Sequence, residues 1–367
     1  MPTPIAMNAP NSPRERLDRL SPLLQQDPGN VRLLADAADC ALAAGVFDQA
    51  EQYMQQGLRA DQDPASWQFR IASLRIAQRR LPEARVLLEQ LNKATINAGI
   101  AHNLAYVNFL EGNFEACSAL LEPWLESSPA AQSLWLRALH HQGRLKEAWA
   151  WVEARPPSTL SPATAAAASL IALDLSRLDS AHSLADAALA ALPSNPEAGI
   201  AMAGVLLARG ELARSRELLG HVTSVHPHQA RAWSTLGYVA LLELQGEAAT
   251  KHFGRALDLQ PHDIDTQVAL GWAHLLNGNL VAAKAAFENA RAHDDSSADA
   301  HGGLAVAQAL QGDRVLAAAH AQRARKLQPG NVAARHAEAI LSGNADGLKG
   351  IHRLMAQLLS RQRGDSR

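Results

Sequence analysis

At 367 residues and a formal net charge of −2, the chain is long enough for two ordinary domains and too evenly charged to read as a nucleic-acid binder. Hydrophobic residues reach 47% and aromatic residues only 4%, with Ala and Leu dominant. That balance favours closely packed helices over sheets, where β-branched and aromatic side chains are enriched. The two cysteines, Cys40 and Cys117, stand in no metal or redox spacing and read as small buried packing residues. No apolar run approaches the roughly 18–20 residues of a membrane span, and the N-terminal stretch lacks the apolar core of a secretory signal. The expectation is a soluble, cytoplasmic protein without a membrane span.

Taken in order, residues 1–13 are Pro- and Asn-rich and are expected to be disordered. Residues 14–29 form an amphipathic capping helix that stops before Asp27-Pro28. From 30 to 161 an array of helical pairs is expected, with irregular spacing. Its frames open at Val31, Ala65, Ala98 and Pro129, and the spacing slips near 92–97 and at the Pro-rich stretch 155–158. From 162 to 341 the spacing is regular, with frames opening at Pro162, Pro196, Ala230, Ile264 and Ala298. Gly210, Gly278 and Gly312 follow the first helix of their frames, where left-handed backbone costs glycine least. Residues 342–367 carry a last amphipathic capping helix, 348–359, and a frayed basic tail.

The frame at 230–263 carries the pattern most fully. Trp233, Leu236, Gly237 and Ala240 make one helical stripe, Ala249, Phe253 and Ala256 a second, and Pro261 ends the second helix. Neither helix can bury its stripe alone, so the two must pack together and against neighbours. The same pattern recurs at a period of about 34 residues, the mark of a solenoid of helical hairpins. This resembles the tetratricopeptide repeat (TPR) family, whose Trp, Leu-Gly, Ala, aromatic, Ala and Pro positions are matched here by Trp233, Leu236-Gly237, Ala249, Phe253, Ala256 and Pro261. Ala240 replaces the family's Tyr. The resemblance covers roughly 30–341. It implies an all-α, right-handed superhelical solenoid of about nine or ten antiparallel hairpins with helical caps.

In that family the first helix of each hairpin lines a concave surface that takes up ligands. By register, the resemblance places Phe69, Arg70, His102, Asn103, Tyr106, Arg137 and His141 on the N-terminal part of such a groove. Ser234, Thr235, Tyr238, Val268, Trp272 and Gly302 fall on the C-terminal part. Tyr106, Tyr238 and Trp272 share one frame position, an aromatic row suited to stacking on peptide side chains. Gly302-Gly303 would leave room for a ligand backbone. The family's carboxylate clamp is poorly matched. Asn103 stands at one of its positions, but Ala35, Phe69, Ser133 and Ser234 occupy the first lysine position.

Chemistry is hard to find in the chain. The fifteen histidines are scattered, and no zinc motif, phosphate loop or nucleophile elbow appears. The expectation is a non-enzymatic scaffold or adaptor, with no cofactor or metal, that binds a protein or peptide. An amphipathic helix or apolar segment suits the C-terminal groove, and a more polar or acidic segment the N-terminal one. The alternative is a regulatory or assembly subunit of a separate enzyme, or of a bacterial secretion or envelope-glycan complex.

Overall fold

Ser12 opens the helical array in the computed structural model, which describes residues 12–345 together with Gly350 and Leu354. Its hydroxyl accepts from the Glu15 N–H at 3.2 Å, and Glu15 Oε2 accepts from the Ser12 N–H at 3.1 Å. This reciprocal capping box starts α1 (Pro13–Gln26). Ser12 and Pro13, expected to be disordered, instead cap and begin this helix; the rest of the expected disorder at 1–13, the helix at 348–359 and the basic tail lie outside the described residues, apart from Gly350 and Leu354.

After α1, first and second helices alternate along the chain. The first helices are α2 (Val31–Ala43), α4 (Pro64–Ala77), α6 (Ala98–Leu110), α8 (Pro129–His141), α10 (Pro162–Asp174), α12 (Pro196–Ala208), α14 (Ala230–Leu242), α16 (Ile264–Leu276) and α18 (Ala298–Gln311). The second helices are α3 (Phe47–Ala60), α5 (Leu81–Ala94), α7 (Phe114–Leu121), α9 (Leu145–Glu153), α11 (Leu178–Ala191), α13 (Leu212–Val225), α15 (Gly246–Leu259), α17 (Leu280–His293) and α19 (Arg314–Leu327). A final helix, α20 (Val332–Leu341), follows, and no strand occurs among the described residues. These are the hairpins that the period predicts. The spacing is regular near 92–97, where a slip was expected, and shortens after Ala98 instead: α7 and α9 span only eight and nine residues, whereas the other second helices span fourteen. Pro123 forces α7 into a short 3₁₀ turn, and Pro156-Pro157 follows α9 closely.

Two kinds of start signal punctuate the array. Most first helices follow a side-chain cap: Asn30, Asn97, Ser128, Ser161, Asn195 and Ser297 each accept a backbone N–H of the opening turn. Inside each hairpin the chain instead reverses through one left-handed residue. Glycine supplies it at Gly45, Gly112, Gly143, Gly210, Gly278 and Gly312. In three hairpins the same turn is imposed on Arg79, Ser176 and Leu244, with φ of 60°, 57° and 58°, at a strain of about 1–2 kcal/mol each.

The described residues divide into two compact units, one ending at Ala148 and the other beginning at Trp149. Each is held by large side chains seated where a neighbour has none. In the first unit, Trp67 of α4 lies over Gly57 of α3, and its indole N–H donates to Asp61 at 2.8 Å. In the second unit, Phe253 of α15 covers Gly237 of α14, and Phe287 of α17 lies against both Gly271 of α16 and Gly303 of α18. Both phenylalanines are fully buried. A Cβ at Gly237 would sit 2.5 Å from the Phe253 ring. Cys40 and Cys117 are buried free thiols, and burial pushes Cys117 up to about 12.

Burial also holds the imidazoles of His102, His252, His274, His320 and His336 below the 6.5 of a free histidine. At His320 the neighbouring His301 and Arg291 add to the effect. As pH falls through about 6.5, the unfolded chain takes up protons that the folded chain refuses, so stability drains in that window.

Three outcomes follow for denaturation experiments. Gly237→Ala should cost about 1–3 kcal/mol by overpacking against Phe253. Gly220→Ala, in the middle of α13 with nothing within 4 Å of its Cβ position, should gain up to about 1 kcal/mol. Equal effects from the two would contradict the packing account. The melting temperature should drop from about pH 7 to about pH 5; a flat profile there would show the five histidines to be unperturbed.

Candidate peptide-binding face

In the first unit, first-helix residues of neighbouring hairpins meet through polar contacts at a constant register. Arg70 of α4 reaches back to Asp39 of α2 with two bonds, Nε to Oδ1 at 3.0 Å and Nη2 to Oδ2 at 3.3 Å. One hairpin on, Asn103 Nδ2 of α6 donates to Ser73 Oγ of α4 at 3.0 Å. In each rung, the residue five after one frame start meets the residue eight after the previous one. Tyr106 of α6 occupies the eighth position of the next rung and is 37% exposed. His102 lies beside Asn103, with Nδ1 3.5 Å from Oδ1. Burial lowers its pKa, and Arg137 of α8 adds to that through its charge. Its imidazole is therefore uncharged at neutral pH, with one nitrogen to donate and one to accept.

The remaining predicted residues of this unit serve packing. Phe69 is half-buried against the core of α4 to α7 and 3.6 Å from the Cβ position of Gly99. His141 stacks on Phe114 with centroids 4.6 Å apart and meets the edge of Phe109. It closes an aromatic trio at the end of α8.

The second unit departs further from expectation. Trp272 is only 6% exposed and meets Phe287 edge to face at 5.3 Å, so its ring belongs to the core rather than to an open surface. Val268 packs against the same core. Gly302 leaves no gap, because Asn331 Oδ1 lies 2.6 Å from its Cβ position and Phe287 fills the space at Gly303. Ser234 and Thr235 donate their hydroxyls to the Arg231 carbonyl of their own helix, at 3.1 and 2.7 Å. Their donors are spent. Tyr238 is half-buried, its ring edge to face with Phe253 at 5.2 Å. Burial pushes its phenol up, and Asp265, Asp263 and Asp299 add to this. Burial likewise raises Asp265, helped by Asp263 and Asp299.

Three charged residues near the starts of first helices lie outside the candidate groove named from the sequence. Arg231, Asp265 and Asp299 each stand one residue after a frame start, and all three are charged. Arg231 of α14 pairs through both guanidinium ends with Asp174 at the end of α10, one bond being 3.0 Å. The pair spans the whole intervening hairpin, whose first helix α12 packs against both α10 and α14. Its side chains are 36% and 26% exposed. A pair so wetted contributes on the order of 1 kcal/mol or less. Charge at the second helical position was the available signal.

Family models described as tetratricopeptide repeat match residues 17–74, 172–237 and 268–332, together just over half of the chain. A comparison with curated proteins returns no match. Among solved structures, the chain is similar to YrrB, a TPR protein with an unusual peptide-binding site, at 20% identity and a TM-score of 0.40, over 48% of this chain and 90% of that one. A thermophilic TPR protein from Thermus thermophilus aligns at 20% identity and a TM-score of 0.42, over 50% of this chain and all of that one. The anaphase-promoting complex assembly Cut9-Hcn1 aligns at 16% identity and a TM-score of 0.46, over 90% of this chain and 81% of that one. With hairpins in phase and family models matching both units, the chain belongs to the tetratricopeptide repeat family.

Proposed function

We propose that this chain is a non-enzymatic scaffold that takes up a peptide or protein segment along the first helices of its N-terminal unit, with Tyr106 at the centre of the contact. The observation that carries this reading is the polar ladder from Asp39–Arg70 to Ser73–Asn103, which leads in register to the exposed ring of Tyr106. Core side chains do not need such a ladder. The ladder keeps polar groups at the first-helix face, where the donors and acceptors of a peptide backbone must be matched. With Nδ1 turned to Asn103 Oδ1, neutral His102 offers Nε2 as an acceptor, and the charge of Arg137 suits a polar or acidic segment. The matching face of the second unit supports the reading less well, since Trp272 and Gly302 are packed away and the Arg231–Asp174 pair lies across α12. Tyr238, lying among carboxylates, remains a secondary contact for that unit.

Panning the full chain against a displayed random peptide library supplies a ligand for the test. Tyr106→Ala should weaken the enriched peptides about tenfold or more, ~1.4 kcal/mol, with an unchanged melting temperature. Trp272→Ala should instead cost about 3–5 kcal/mol of stability and reduce binding only as far as it unfolds the protein. Full affinity in Tyr106→Ala would move the contact elsewhere. Mass spectrometry of co-purifying proteins decides the role. Many substoichiometric clients fit an adaptor, whereas one stoichiometric enzyme would make the chain a subunit of that enzyme.

A further inference from the structure

Two histidines from neighbouring hairpins of the second unit face each other. His262 lies in the turn after α15, and His293 is the last residue of α17. His262 Nδ1 is 2.7 Å from His293 Nε2, with the rings tilted by 43° and their centroids 4.7 Å apart. Both residues are exposed. His293 Nδ1 lies 2.8 Å from the carbonyl oxygen of Asn289. A carbonyl can only accept, so Nδ1 carries the hydrogen and the lone pair of Nε2 points at His262. One proton, on His262 Nδ1, fills the space between the rings.

We propose that His262 and His293 form a solvent-open, two-histidine site for a borderline divalent transition metal of the Zn²⁺, Ni²⁺ and Cu²⁺ class. Imidazole nitrogen suits these ions, whereas Mg²⁺ and Ca²⁺ prefer oxygen. The His293 ring is already held as a ligating histidine is held, with its outer N–H on a backbone carbonyl. On binding, the proton on His262 Nδ1 leaves to solvent and one is taken up at Nε2. The ring stays neutral, and two lone pairs meet the ion with no net proton change. Ligand bonds of about 2.0–2.1 Å at a tetrahedral centre place the two nitrogens roughly 3.3 Å apart. The rings must separate by about half an ångström and each swing by roughly 35° to aim its lone pair at a tetrahedral ion off the N···N line, movements that an exposed turn and a helix end permit. Among the described residues no group of three or more His, Cys, Asp or Glu side chains could hold a metal, so water or a side chain from a bound partner completes the shell. The ion ties the turn after α15 to the end of α17 and thereby joins two successive hairpins.

The test is calorimetric titration of the chelator-treated full chain with ZnCl₂ at neutral pH. Wild type should bind one equivalent whose affinity falls about tenfold or more in His262→Gln and again in His293→Gln. His221→Gln, which removes an exposed histidine of α13, should leave that equivalent intact. Both histidines of the pair are on the surface, so the variants should keep the wild-type circular dichroism. Paramagnetic resonance of the Cu²⁺-loaded chain provides a second readout, with two coordinating nitrogens in wild type and one in either variant. Unchanged Zn²⁺ binding in both variants, or no Zn²⁺ binding by wild type, would overturn the proposal.

Discussion

A large ring seated against a residue without a side chain is the contact on which the array depends. Phe287 shows it most fully. The ring leaves α17, fills the hollow at Gly271 of its own hairpin and presses on Gly303 of the next. One side chain thus closes a hairpin and couples it to its neighbour. A solenoid has no central core, and its stability is a sum of such local and nearest-neighbour terms. Each close approach also exposes the array to a single methyl group, since a Cβ at Gly271 would lie 2.5 Å from the Phe287 ring. Glycine in the middle of a helix costs conformational entropy of about 0.5–1 kcal/mol. The burial of a phenylalanine side chain, about 1.5–3 kcal/mol by area, more than offsets it.

Once the apolar stripes are committed to packing, the remaining faces are free for other work. The two units use their first helices differently. In the N-terminal unit, successive first helices are joined by hydrogen bonds and a two-bond ion pair that leave Tyr106 exposed. In the C-terminal unit the corresponding aromatic position of α16 is drawn into the core, and charged residues take over the start of the helices. Arg231 is paired with Asp174, whereas the charges of Asp265 and Asp299 act on the half-buried phenol of Tyr238. Any ligand of this second face must therefore contend with carboxylates and with an ion pair already made.

The fold was legible because its signals repeat. The first helices begin within one residue of the expected frame starts, the one offset being Pro64 for Ala65, and every glycine expected in a hairpin turn has positive φ. The turns at Arg79, Ser176 and Leu244 were invisible for the complementary reason. Neighbour contacts force a left-handed residue there, and the residue itself does not announce it. The face was harder to read. Register gives direction around a helix but not depth, so Tyr106 and Trp272 look equivalent in sequence. Their fates diverge: Trp272 packs into the core against Phe287, whereas Tyr106 stays 37% exposed. Gly302 misleads similarly: its missing side chain reads as an opening, but Asn331, distant in sequence, occupies the space. The pairing of His262 with His293 could not be foreseen, because one lies in a turn and the other at a helix end, off the repeating stripes.

On the proposed function, the first helices of the N-terminal unit make the ligand contact. Hydrogen exchange of the full chain with and without a selected peptide tests it most directly, because it reads every helix at once. Binding should slow exchange in residues 64–77, 98–110 and 129–141 and leave the second helices 81–94 and 114–121 unchanged. Protection confined to second helices, or to the C-terminal unit alone, would contradict the account.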